Sequence, residues 1–313
     1  MKLSSLEKAI LETITFHSIF KIPLTDEEIF YFLYGKKTNI QACQLAVDSL
    51  VKKNILNKKA NLYFLPGEEK ILTERKKRVK LSQERFQKVR KIMAKLNWLP
   101  FLKMAAVSGS LSFDNTVLAS DIDLLVVAKK NRLWLVRFLL IPFLDIIGES
   151  KNYKRKANKF CLGFWLDESN LNLAKILSHS NDLYAYYWFI RLRPIIDNDT
   201  YQKFKKENIW LNKYLPNWKN TYGQKFFTSH KIALKENSLK IFLENIFSGS
   251  LGNGLEKLVK KIQIWRLWRV PDNCKKKKWV IAKNSILKLP PADNCEYQKT
   301  YTKKMANIIK RLS

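Results

Sequence analysis

The sequence is poor in the residues that build metal and disulfide frameworks. Its four cysteines, Cys43, Cys161, Cys274 and Cys295, are scattered with no Cys-x-x-Cys pair, which excludes a zinc ribbon or a disulfide-stapled scaffold and fits a reducing cytoplasm. The three histidines, His17, His179 and His230, are too widely spaced for a metal-ligand motif. Long apolar runs are missing too. The longest, residues 133–147, contains Arg137, Pro142 and Asp145 and is shorter than the roughly 20 residues that span a bilayer, so it reads as a buried helix, with Asn131 as its expected N-cap. Met1-Lys2 leads straight into an amphipathic pattern, so no secretory leader is expected. Acid is scarce: 27 Asp and Glu stand against 58 Lys and Arg, a formal net charge of +31. Such an excess points to a polyanionic partner, RNA or DNA, although the abundance of Lys, Ile and Asn also fits a drift in codon usage.

What is present describes a folded protein. Hydrophobic residues make up 46% and charged residues 27% of 313 positions, enough for two or three domains with their own cores. Apolar residues at helical spacing predict a first helix over 3–20, and Thr25-Asp-Glu-Glu28 is a capping box opening a second that runs to about Tyr34. A third helix is expected over 39–53. Ile55-Leu56, a turn at 57–60 and Leu62-Tyr63-Phe64-Leu65 suggest a hairpin. Three short helices and a hairpin resemble a winged helix-turn-helix domain at residues 1–70, for which nucleic-acid binding and protein docking are both open. Residues 71–100 read as a long basic connecting helix whose apolar stripe includes Phe86, Val89 and Met93; its charged faces suit solvent or a phosphate backbone. Beyond residue 180 the pattern is mostly helical. Gly249, Gly252 and Gly254 lack the lysine spacing of a phosphate loop and read as a flexible turn.

Between these regions lies the stretch Met104 to Val127. An apolar run enters Ser108-Gly109-Ser110, a polar loop follows, and a strand-like segment carries Asp121 and Asp123. Residues i and i+2 of a strand share a face, so the two carboxylates sit side by side, and like charges on an apolar strand need a neutralising partner. Hard divalent cations suit them. Gly109 would let the backbone approach an anion, and Ser110 would offer its hydroxyl and N–H at an expected helix start.

Val107-Ser-Gly109-Ser110, ten intervening residues and Asp121-Ile-Asp123-Leu resemble the signature of the DNA polymerase β-like nucleotidyltransferase superfamily. Ser120 to Val127, Arg132-Leu-Trp134 and Phe164 to Ser169 resemble a group of bacterial nucleotidyltransferase-domain proteins. The resemblance covers about Leu102 to Glu168. It implies a catalytic α/β domain with a small mixed sheet at residues 101–180; together with the N-terminal winged helix and a helical C-terminal region at 181–313, both read from the sequence pattern, the chain is expected to be α+β. It also implies two Mg²⁺ ions on Asp121, Asp123 and a third acid, and transfer of a nucleoside monophosphate from a nucleoside triphosphate to a hydroxyl acceptor such as RNA. The third acid is expected to be Asp167, at the end of the apolar strand 160–167, with Glu168 the adjacent alternative and Asp145 or Glu149 behind them. Lys129, Lys130 and Arg132 either contact phosphate or form a solvated turn, and Asp114 serves the loop. A nucleic-acid-binding regulator with a nucleotide-sensing domain is the alternative function; a protein working on an anionic membrane surface is a third.

Overall fold

The N-terminal helices start where the sequence supplies caps. In the computed structural model, which describes residues 2–151, 156–174, 182–219, 230–232, 237–268, 279–282, 285–288 and 293–312, α1 (Ser5–Ile19) is opened by Ser4, whose hydroxyl accepts from the Glu7 amide while the Glu7 carboxylate accepts from the Ser4 amide. α2 (Asp26–Phe32) has the same reciprocal box between Thr25 and Glu28, as the sequence predicts. α3 (Ile40–Lys52) is capped by Asn39.

β1 (Asn57–Lys59) and β2 (Leu62–Phe64) pair as an antiparallel hairpin. Its turn is Ala60-Asn61, with φ of 49° and 59°, the left-handed pair that a two-residue hairpin turn requires. The expected hairpin is therefore displaced: residues 57–59 are strand instead of turn. Ile55 and Leu56 are buried, and their amides fold back onto Leu50 of α3. Leu24 bridges Tyr63 beside the hairpin.

α4 (Lys70–Ala94) runs along the sheet and buries Phe86, Val89, Ile92 and Met93. The sheet has six strands in the order β6-β3-β4-β5-β8-β7, with β3 (Leu102–Ser108), β4 (Ile122–Ala128), β5 (Phe160–Asp167), β6 (Arg193–Asp197), β7 (Trp279–Ala282) and β8 (Ser285–Lys288). Only β4 and β5 pair in parallel among the described strands. That pairing needs a crossover, supplied by α6 (Leu133–Ile146). β6 and β8 were not expected from the sequence. Pro194 sits within β6, which tolerates it because β6 is an edge strand.

Both faces of the sheet are covered, which explains why β3 and β4 read as continuous apolar runs instead of alternating ones. Met104, Ala106, Leu125 and Val127 join one core with α1 to α3 and α7 (Leu183–Ile190). Ala105, Val107, Leu124 and Val126 join the other with α4 and α6. The chain is thus mixed α+β with a small mixed sheet, and most of its C-terminal part is helical: α8 (Thr200–Glu207), α9 (Ser238–Phe247), α10 (Ser250–Trp268) and α11 (Asp293–Leu312). α11 returns to α1, where Tyr301 meets Phe16 and Tyr297 meets Phe20. No helix among the described residues is long and apolar enough to cross a membrane.

Two expectations near α6 are corrected. Asn131 does not cap it; Asn131 is left-handed, with φ of 59°, and the cap comes from the distant Glu256, whose two oxygens accept from the Trp134 and Leu135 amides at 2.9 Å each. The glycine-rich segment is not a flexible turn either, because α10 already begins at Ser250. A Cβ at Gly252 would collide with the Phe247 carbonyl, so this glycine allows α9 and α10 to turn tightly.

Candidate metal and phosphate site

β3 and β4 are antiparallel neighbours, and their register sets Ser108 opposite Asp123. The chain turns immediately after Ser108 into α5 (Gly109–Ser112). Gly109 adopts φ of +62°, and a Cβ there would collide with the Asp123 carboxylate. Two constraints, conformation and space, thus demand glycine at this position. Ser110 and both aspartates are half-buried, and Ser108 is buried. The structure therefore brings together four of the five residues singled out in the sequence: Gly109, Ser110, Asp121 and Asp123.

Asp167 is the fifth, and it is not brought there. Because β5 runs parallel to β4, the residue beside Asp123 is Cys161, whereas Asp167 pairs with Ala128. Five residues at roughly 3.3 Å each separate the two positions by about 16 Å. Asp167 is only 1% exposed. Its carboxylate accepts from the Ser169 amide at 2.9 Å, the Ser169 hydroxyl at 2.5 Å and the Asn131 amide at 3.2 Å. The alternatives are engaged elsewhere: Glu168 accepts from the Lys130 amide, Glu149 pairs with Lys88 at 2.6 Å and Lys159 at 3.3 Å, and Asp145 is exposed on α6.

Two residues that the sequence reading did not assign to the site stand in it, Cys161 and Lys151. Oxygens of Asp121 and Asp123 and the Cys161 sulfur lie within 4.8 Å of one another. Lys151 pairs with Asp121 and reaches 3.7 Å from Cys161 Sγ. Burial works against the charge of Lys151, but the hydrogen bond to Asp121 and the neighbouring Cys161 and Asp123 hold its pKa above the usual lysine value. One signal for Cys161 was in the sequence: a helix between two strands implies a parallel crossover, which sets the start of the second strand, not its end, beside the start of the first.

The loop from Phe113 to Ser120 links the glycine turn to Asp121, and α4 holds it. Arg75 donates to the Phe113 and Asp114 carbonyls at 2.9 and 2.7 Å, Arg78 to Asn115 at 3.1 Å, and Arg85 to the Ser120 and Leu118 carbonyls at 2.8 and 2.9 Å. Ser82 meets Thr116 at 2.6 Å. Spacings of three and four residues put all four on one helix face, so the inner cations of the basic helix position the loop. Burial lowers the Arg85 pKa, partly offset by the charge of Asp121. Asp114 serves the loop through an ion pair with buried Arg193 at 2.5 Å. Arg132 contacts no open surface: its guanidinium donates to the carbonyls of Phe247, Asn131, Ser248 and Gly249 and to Asn253.

The donor set fits a hard divalent cation through its two carboxylates, with the remaining positions left to other oxygen ligands. It does not present a third carboxylate among the described residues, and a thiol is a poor ligand for Mg²⁺. No family model, curated protein or solved structure compared with the chain gives a match.

Proposed function

We propose that the chain is a divalent-cation-dependent nucleotidyltransferase that moves a nucleoside monophosphate from a nucleoside triphosphate to a hydroxyl acceptor. The observation that supports this best is the joint between Gly109 and Asp123: the turn suited to phosphates and the carboxylates suited to a cation touch across β3 and β4. When bound, Mg²⁺ supplies charge neutralisation for the phosphates and acidity toward the attacking hydroxyl. Asp121 and Asp123 would hold it, the missing side chain of Gly109 leaves room for the Asp123 carboxylate against the turn, and Ser110 would donate to a phosphate. The acceptor oxygen bonds to the α-phosphorus as the bond to the bridging oxygen breaks. The hydroxyl proton passes to solvent and pyrophosphate leaves.

A second reading is favoured by Cys161 standing where a third acid is wanted. In it the site senses a nucleotide without transferring it, within a nucleic-acid-binding regulator. Three helices, a hairpin and the Leu24–Tyr63 bridge support a winged helix at residues 2–65. Its third helix, however, presents Asp48 with Gln41, Gln44 and Leu45 in a groove of about 400 Å³ that Asp26, Lys58 and Tyr63 also line, a mixed-charge, partly apolar surface that suits a protein partner better than a phosphate backbone. The net charge of +31 supports a nucleic-acid acceptor through other surfaces.

Incubation of the full chain with each labelled nucleoside triphosphate, Mg²⁺ and cellular RNA, protein or small molecules tests both readings. Labelling that disappears in Asp121→Ala/Asp123→Ala supports transfer, and labelling that survives removes it. Nucleotide binding without labelling, together with salt-sensitive DNA binding, selects the regulator.

A further inference from the structure

α9 has no buried residue, although six of its ten side chains, in the sequence SLKIFLENIF, are large and apolar. Leu239 and Phe242 are 51% and 59% exposed, and on the adjoining α10 Leu251, Leu258 and Trp265 are 64%, 55% and 54% exposed. Spacings of three residues on α9 and seven on α10 gather each set into one stripe. These helices are firmly attached: Arg132 grips three carbonyls of the turn between them and Asn253, Gly252 packs on Phe247, Glu256 caps α6, and Glu244 accepts from the Phe101 amide at 2.7 Å. The exposed stripes are thus held on a fixed platform.

The charges beside the stripes narrow what can cover them. Residues 238–268 contain two acids, Glu244 and Glu256, and both turn toward the body of the protein. Lys257, Lys261 and Arg266 face solvent. A second copy would bring another +31 against this surface, and the phosphate backbone of a duplex offers nothing to bury leucine and phenylalanine. A partner that is apolar and negatively charged at once suits both the stripes and the lysines.

We propose that the α9–α10 face docks on an anionic lipid surface, with Leu239, Phe242, Leu251, Leu258 and Trp265 entering the interface and the lysines meeting the headgroups. This inference is independent of the nucleotide site. The test is flotation of the full chain with phosphatidylcholine vesicles, alone or with about a third phosphatidylglycerol. Binding is expected only to the anionic vesicles, falling about tenfold or more in Phe242→Glu/Leu258→Glu, where apolar burial is lost, and weakening in Lys257→Glu/Lys261→Glu. Unchanged circular dichroism and melting establish that these surface variants fold. Absence of binding to anionic vesicles overturns the proposal. So does equal binding by Phe242→Glu/Leu258→Glu, which would reduce the effect to overall charge. Concentration-dependent self-association abolished by the same pair, without vesicle binding, would assign the face to a second copy.

Discussion

β4 and β5 carry carboxylates at both ends, and the two ends use them in opposite ways. At one end Asp121 and Asp123 are half-buried beside a lysine and a thiol, with Asp123 against a glycine that cannot be replaced without displacing it. At the other, Asp167 is buried and receives three hydrogen bonds from Ser169 and Asn131. An aspartate whose acceptors are filled by neutral donors organises backbone. Aspartates that converge on one cation leave an arrangement into which another cation can be exchanged. The difference is in the partners, which residue type alone does not reveal.

The largest effect should come from the buried end. Asp167→Ala removes the acceptor of three hydrogen bonds and is expected to destabilise the protein by about 3 kcal/mol, the order expected for losing hydrogen bonds to a charged group. Mn²⁺ binding, measured calorimetrically at a temperature where the variant stays folded, should be unchanged. A variant that melts like wild type but loses the metal would return Asp167 to the site and break the contrast between the two ends.

Gly109→Ala should come next, at about 2 kcal/mol in chemical denaturation, combining a left-handed backbone with a collision. Here stability and binding are expected to fall together, because the added methyl displaces the Asp123 carboxylate. Loss of stability with intact Mn²⁺ affinity would separate the glycine turn from the carboxylates and remove the joint on which the functional proposal rests.

The legible part of this molecule was what local chemistry decides. Thr25 and Asn39 announce their helices by capping, the doubly covered strands are mostly apolar, and Gly109 and Asp123 could be grouped because their motifs resemble parts of one signature. What escaped depends on partners remote in sequence. Arg75 and Arg85 look like surface charge on a basic helix, yet they hold a loop more than 30 positions away. Arg132 resembles a phosphate contact and instead secures a turn over 110 residues downstream. Asp167 was misplaced for a narrower reason: a strand ending on an acid was set beside the start of its neighbour, as antiparallel pairing would do, although the intervening helix already implied the parallel arrangement.

Lys151 provides the smallest and most selective test. Its ammonium now answers the charge of Asp121, so an incoming divalent cation must displace it. Lys151→Met keeps a chain of similar length without the charge, and should raise Mn²⁺ and Mg²⁺ affinity by about tenfold, equivalent to about 1.4 kcal/mol. The same substitution should leave a protein already carrying Asp121→Ala unaffected, because the coupling runs through that carboxylate. Equal affinity in wild type and Lys151→Met would mean that lysine and metal do not compete, and the carboxylate pair would then be, like Asp167, a structural device at the other end of the same strands.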